Sequence, residues 1–112
     1  MLKQQGYDLL GAAFEVYNEL GYGMAEEVYQ QSLEILTAKY RPDLLVYGEI
    51  VVELKSLKEL CSDHEAQLFN YMRIARKQVG YLINFGQKGE LEWKRFVLSD
   101  LHKIGDNHRL EH

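Results

Sequence analysis

Apolar residues recur at three- and four-residue spacing through residues 5–20, at Leu9, Leu10, Ala13, Phe14, Tyr17 and Leu20, which places them on one stripe of a helix. The stretch GYG at residues 21–23 ends this pattern, because glycine tolerates the left-handed backbone that commonly closes a helix. A second helix is predicted from near Ala25 to about Leu36, with Val28, Tyr29, Leu33 and Leu36 on its inner face. The period then changes to alternation: residues 41–47 and 50–55 predict two strands joined at YGE, a hairpin. Ser62 followed three residues later by Glu65 reads as a capping box, so a third helix is expected over residues 63–77. Residues 79–85 and 91–97 predict two more strands around GQKG, and the weakly patterned tail from Asp100 admits a short helix before Gly105.

No repeat, low-complexity tract or linker divides this order, so one domain over residues 1–109 is expected. The final LEH, residues 110–112, resembles the start of a vector-encoded histidine tag and is left out of functional reasoning. With 46% hydrophobic residues in 112, the chain can bury a core without metal or disulfide staples, and its one cysteine, Cys61, cannot form an intrachain disulfide. No apolar stretch approaches the roughly 20 residues needed to span a bilayer, and no export signal opens the chain, so a cytoplasmic protein with no membrane partner is expected. Leaving out Glu111 reduces 17 acidic side chains to 16 against 13 basic ones, so the formal charge of −4 becomes −3. That balance exerts no global pull on nucleic acid, and phosphate binding would need a local patch. Arg73, Arg76 and Lys77, with Lys39, Arg41 and Lys58, are the candidate rim, although cations ending a helix are commonly a solvated face.

The charges in the hairpin are unusual for strands, because Asp43, Glu53 and Lys55 sit inside the apolar runs DLLV and IVVELK. If the hairpin is symmetric about Gly48, Asp43 faces Glu53 and Arg41 faces Lys55. Alternation then gives Glu53 and Lys55 the same face and sends Ile50, Val52 and Leu54 into the core. Two adjacent carboxylates repel unless a cation lies between them, and an oxygen-only ligand set suits Mg²⁺ or Mn²⁺, while the lack of paired Cys and His spacings argues against zinc. Lys55 would orient or activate an attacking water and offset charge on a phosphodiester transition state. By itself, Glu-x-Lys in a strand is more often one exposed face with a weak ion pair. On the third helix, His64, Gln67, Leu68 and Tyr71 share a face expected to look towards the sheet, with Gln67 as a candidate buried polar group.

The PD of residues 42–43 with the ELK of residues 53–55 resembles the signature of the PD-(D/E)XK nuclease superfamily. GMAEEVY at residues 23–29, HEAQLFNY at 64–71 and LINFG at 82–86 resemble the ordered motifs of its GxxExxY family, with Gly23, Glu26 and Tyr29 at the name-giving places. The resemblance runs from about Leu10 to Leu98. It implies a restriction-endonuclease-like α/β core, a mixed β-sheet flanked by α-helices. It also implies a metal held by Glu26, Asp43 and Glu53, Lys55 as the catalytic lysine, and Gln67 as a helix residue contacting water, metal or substrate. Tyr29 falls on the apolar stripe and is expected in the core or behind the site. The chain departs from the family in one respect: SLEILTAKYRPD passes directly from helix to strand, where members usually carry a further segment with another strand. Either that strand is lacking here or a stretch is omitted from the sequence, and the want of a glycine-rich turn in LTAKY favours the omission.

Three functions follow as expectations. The first is an Mg²⁺-dependent enzyme hydrolysing a DNA or RNA phosphodiester through Asp43, Glu53, Lys55 and Gln67. The second is a non-catalytic nucleic-acid-binding module that keeps the nuclease fold, and the third is a small assembly or regulatory protein, expected as a homodimer.

Overall fold

The computed structural model describes residues 2–37, 45–46 and 48–98. Their elements, in chain order, are α1 (Lys3–Leu20), α2 (Glu26–Thr37), β1 (Leu45–Val46), β2 (Ile50–Lys55), α3 (Ser62–Ala75), β3 (Val79–Asn84) and β4 (Glu92–Val97). The strands form one mixed sheet in the order β1-β2-β3-β4, antiparallel at both outer pairs and parallel between β2 and β3. A parallel pair needs a crossover, and α3 supplies it. The result is the expected α/β architecture, a mixed sheet flanked by helices.

Both faces of the sheet are covered. Ile50, Val52 and Leu54 of β2, with Val79, Tyr81 and Ile83 of β3, pack with Leu9, Ala13 and Val16 of α1 and Tyr29 and Leu33 of α2. Val51, Leu82 and Phe96 pack with Leu68, Phe69 and Met72 of α3 on the other side. Burial on both faces explains why IVVELK and VGYLIN are nearly continuous apolar runs. It also means that Glu53 sits in an interior strand.

The helices are rotated from their sequence-based faces. Phe14 is 40% exposed and Val16 takes its place inside α1; on α2, Val28 and Leu36 are exposed and only Tyr29 and Leu33 of the expected set are buried. The sheet accepts a narrower stripe than the apolar pattern offers. The start of α3 differs as well. Cys61 occupies the N-cap, its N–H donates 3.0 Å to His64 Nδ1, and the helix begins at Ser62. Glu65 is therefore free of capping and pairs instead with Lys94 Nζ of β4, 2.6 Å away.

Candidate active site

Leu45 pairs with Val51 and Val46 with Ile50, which is the hairpin register centred on Gly48 that sequence symmetry predicts. Asp43, the residue expected opposite Glu53, lies outside the described residues, as do Lys39 and Arg41. On β2, alternation does what the pattern requires: Ile50, Val52 and Leu54 enter the core beneath α1 and α2, and Val51, Glu53 and Lys55 take the α3 side.

Glu53 is 8% exposed, and its Oε2 has no hydrogen-bond partner among the described residues. Burial pushes its carboxyl above the ordinary glutamate range; the Lys55 ammonium pulls it back down, and the Glu26 carboxylate pushes it up again. The last effect brings the start of α2 within electrostatic reach of the strand. Two of the expected ligands are thus neighbours in charge. Among the described residues, however, no group of three His, Cys, Asp or Glu side chains is close enough to hold a metal ion. The unpartnered, desolvated oxygen of Glu53 nevertheless fits a cation, because a buried carboxylate lacking hydrogen bonds is stabilised most by positive charge.

The loop before α2 explains how Glu26 is placed. Gly23 has φ +82°, a conformation that a side chain would strain, and its N–H donates 3.1 Å to Phe85 O. Tyr29 is fully buried; its hydroxyl donates 2.8 Å to Gly21 O and accepts 3.0 Å from Met24 N–H. The glycine and tyrosine of GMAEEVY therefore shape the turn that presents its glutamate, and the Tyr29 hydroxyl is spent on backbone.

On α3 the sheet-facing residues are Leu68, Phe69 and Met72. Gln67 lies on the flank, half-buried, and its Nε2 donates 3.2 Å to Tyr71 Oη; Tyr71 itself is exposed. His64 is engaged in the helix start through Nδ1. The proposed basic rim divides. Val79 pairs with Ile50 and Asn84 with Lys55, so Arg76 and Lys77, which precede β3, lie at the opposite end of the parallel pair from Lys55. There they line a cavity of about 320 Å³ with Leu2, Glu49 and Gln78, whereas Lys58 follows the exit of β2, three residues after Lys55.

Sequence reasoning missed Asn84. It is the register partner of Lys55, is completely buried, and uses its whole amide: Oδ1 accepts from Leu57 N–H at 2.9 Å and Gly86 N–H at 3.0 Å, while Nδ2 donates to Leu57 O at 2.8 Å and Glu92 Oε1 at 3.0 Å. A single asparagine ending an apolar strand was the available signal.

Among the described residues, no helix is long and apolar enough to cross a membrane. Neither the comparison with curated proteins nor that with solved structures returned a significant match. One family profile, described as the PD-(D/E)XK nuclease superfamily, matches residues 3–39 and 34–96. Its two segments overlap at residues 34–39, beside the stretch at which the sequence departs from the family pattern. With those segments spanning most of its length, the chain belongs to the PD-(D/E)XK nuclease superfamily.

Proposed function

We propose that this chain is a metal-dependent nuclease of the GxxExxY type, hydrolysing nucleic-acid phosphodiester bonds where β2 leaves the sheet. The observation that carries this reading is the buried Glu53 carboxylate, with an unpartnered oxygen, two residues from Lys55 on the same strand face. A purely structural Glu-x-Lys pair would be solvated or satisfied. Superfamily members generally use divalent metals, and Glu26, Asp43 and Glu53 are the residues that would hold one, Mg²⁺ or Mn²⁺ by their oxygen-only chemistry. Such an ion supplies Lewis-acid polarisation of the phosphoryl oxygens and lowers the pKa of water.

The chain's own groups do the rest. Glu53 and Asp43 contribute negative charge that selects a cation. Lys55 directs an ammonium towards the phosphodiester, where it orients the attacking water and stabilises charge developing on the phosphoryl oxygens. Gln67, a neutral group on the flank of α3, contributes hydrogen bonds to water or substrate. Nucleic acid is the partner, approached without help from net charge, and Lys58 is the cation placed to meet its backbone beside the site.

The test is a Mn²⁺ and Mg²⁺ titration of the wild type beside Asp43→Asn, followed by cleavage assays on single- and double-stranded DNA and RNA. The expected result is ion-dependent thermal stabilisation of the wild type that Asp43→Asn loses, with ion-dependent cleavage of at least one substrate. An unchanged ion response in Asp43→Asn removes Asp43 from the ligand set. Salt-dependent binding without cleavage or ion dependence would move the assignment to a binding module.

A further inference from the structure

We infer that Asn84 is a positioning residue for Lys55, an inference that rests on the nuclease reading above. Lys55 is the last residue of β2, and a strand end is where backbone ordinarily frays. Here the chain is tied on both sides. Lys55 O accepts from Phe85 N–H at 2.8 Å, which completes the parallel ladder. Two residues later, Leu57 gives its N–H and its carbonyl to the two ends of the Asn84 amide, at 2.9 and 2.8 Å. The side chain thus replaces the next rung, as a backbone peptide would.

The backbone groups are already committed at that point: Phe85 O accepts from Gly23 N–H, and Leu57 N–H and O both go to Asn84. An added Cβ at Gly86 would lie 2.2 Å from both Leu57 N and Leu57 O, so the two chains pass in close contact here. Asn84 fills the role because a neutral amide can donate and accept side by side in one plane. Glu92 Oε1, on β4, takes the second donor hydrogen and fixes the plane of the amide. Gln87 repeats the tie further out, donating to Lys58 O at 3.2 Å. The same turn of β3 serves the other side of the site, since Phe85 O receives Gly23 N–H from the loop before Glu26. Residues 84–87 therefore hold the loop that follows Lys55 and the loop that precedes Glu26. All four Asn84 contacts are to backbone or to Glu92, so its effect on chemistry acts through Lys55.

The decisive experiment compares wild type with Asn84→Leu, which keeps the size, adds no charge and loses all four hydrogen bonds. In the folded variant, the rate at which an acetylating reagent labels Lys55 should rise severalfold against Lys88 as internal control. The variant's kcat should fall on the order of tenfold to a hundredfold at unchanged KM and unchanged Mn²⁺ affinity, since small misplacements of a catalytic group have costs of that size. In a Lys55→Met background Asn84→Leu should cause no further loss, because both changes remove the same contribution. Unchanged Lys55 labelling, or losses that multiply in the double variant, would overturn the inference. If wild type cleaves nothing, the nuclease reading fails, while labelling still decides whether Asn84 positions Lys55. If Asn84→Leu does not fold, hydrogen exchange on wild type decides: Leu57 N–H should be protected like the β2 ladder, and fast exchange there overturns the proposal.

Discussion

Tyr29 and Phe85 stack with ring centroids 4.2 Å apart and planes 13° from parallel, joining α2 to the turn after β3. The stack holds the Tyr29 hydroxyl between Gly21 O and Met24 N–H, and so links the loop that presents Glu26 to the turn that fixes the exit of β2. Tyr29→Phe keeps the ring and deletes both hydrogen bonds. It should destabilise the protein by about 1 to 2 kcal/mol in urea unfolding, with faster hydrogen exchange at Met24. Wild-type stability in this variant would show that the hydroxyl is idle.

Glu53 sets a pH dependence whose sign is opposite to that of a salt-bridged acid. Its folded pKa is raised by burial, so its contribution to stability is complete below the ordinary glutamate value and is lost as pH rises through the folded one. Without metal, Glu53→Gln should therefore match wild type near pH 4 and exceed it in Tm by pH 7, taking the ordinary value as about 4.3. Added Mn²⁺ should reverse the order, stabilising wild type by about 2.7 kcal/mol at a hundred times its Kd. A constant difference between the two proteins from pH 4 to 7 would count against a buried, uncompensated carboxylate.

Lys55→Met should lower cleavage by roughly 10²- to 10³-fold while Mn²⁺ affinity stays within twofold, because an ammonium is no ligand and serves only the developing charge. Glu53→Gln should lose both functions. Cleavage that persists undiminished in Lys55→Met would point to a contaminating nuclease.

Gly86→Ala tests the close approach beneath the site. The new methyl would meet Leu57 backbone at 2.2 Å, which no rotamer change relieves, so a loss of about 1 to 3 kcal/mol or more is expected in chemical denaturation. Gly11, where an added Cβ would meet nothing within 4 Å beyond its own helix backbone, is the control: Gly11→Ala at this exposed position of α1 should leave stability unchanged or raise it by up to about 1 kcal/mol.

Much of this molecule was legible in one dimension. Helical spacing located α1, α2 and α3 to within two residues at every end, and the change of period after α2 and the GQKG turn located β2, β3 and β4. Symmetry about Gly48 predicted the pairing of Leu45 with Val51, and alternation along β2 put Glu53 and Lys55 on a common face. Ordered motifs pointed to the nuclease superfamily. These features are local, because a residue's phase within a helix or strand depends only on its neighbours in the chain.

What tertiary structure alone decided is what each face meets. Periodicity put Phe14 and Val28 on inner stripes, but both are exposed in the fold, and Val16 is buried in α1 instead. Ser62 and Glu65 satisfied the spacing of a capping box, yet Lys94, 29 residues from Glu65, offered a stronger partner, and Cys61 with His64 closed the helix. Of the basic residues expected around one site, Arg76 and Lys77 fall at the opposite end of the parallel pair from Lys58, because α3 carries the chain back along the sheet before β3 begins. Asn84 had no visible role until the fold set it beside Leu57, 27 residues away. Burial of Glu53 was likewise set by the fold, for only a strand covered on both sides removes water from a carboxylate that alternation would otherwise leave exposed.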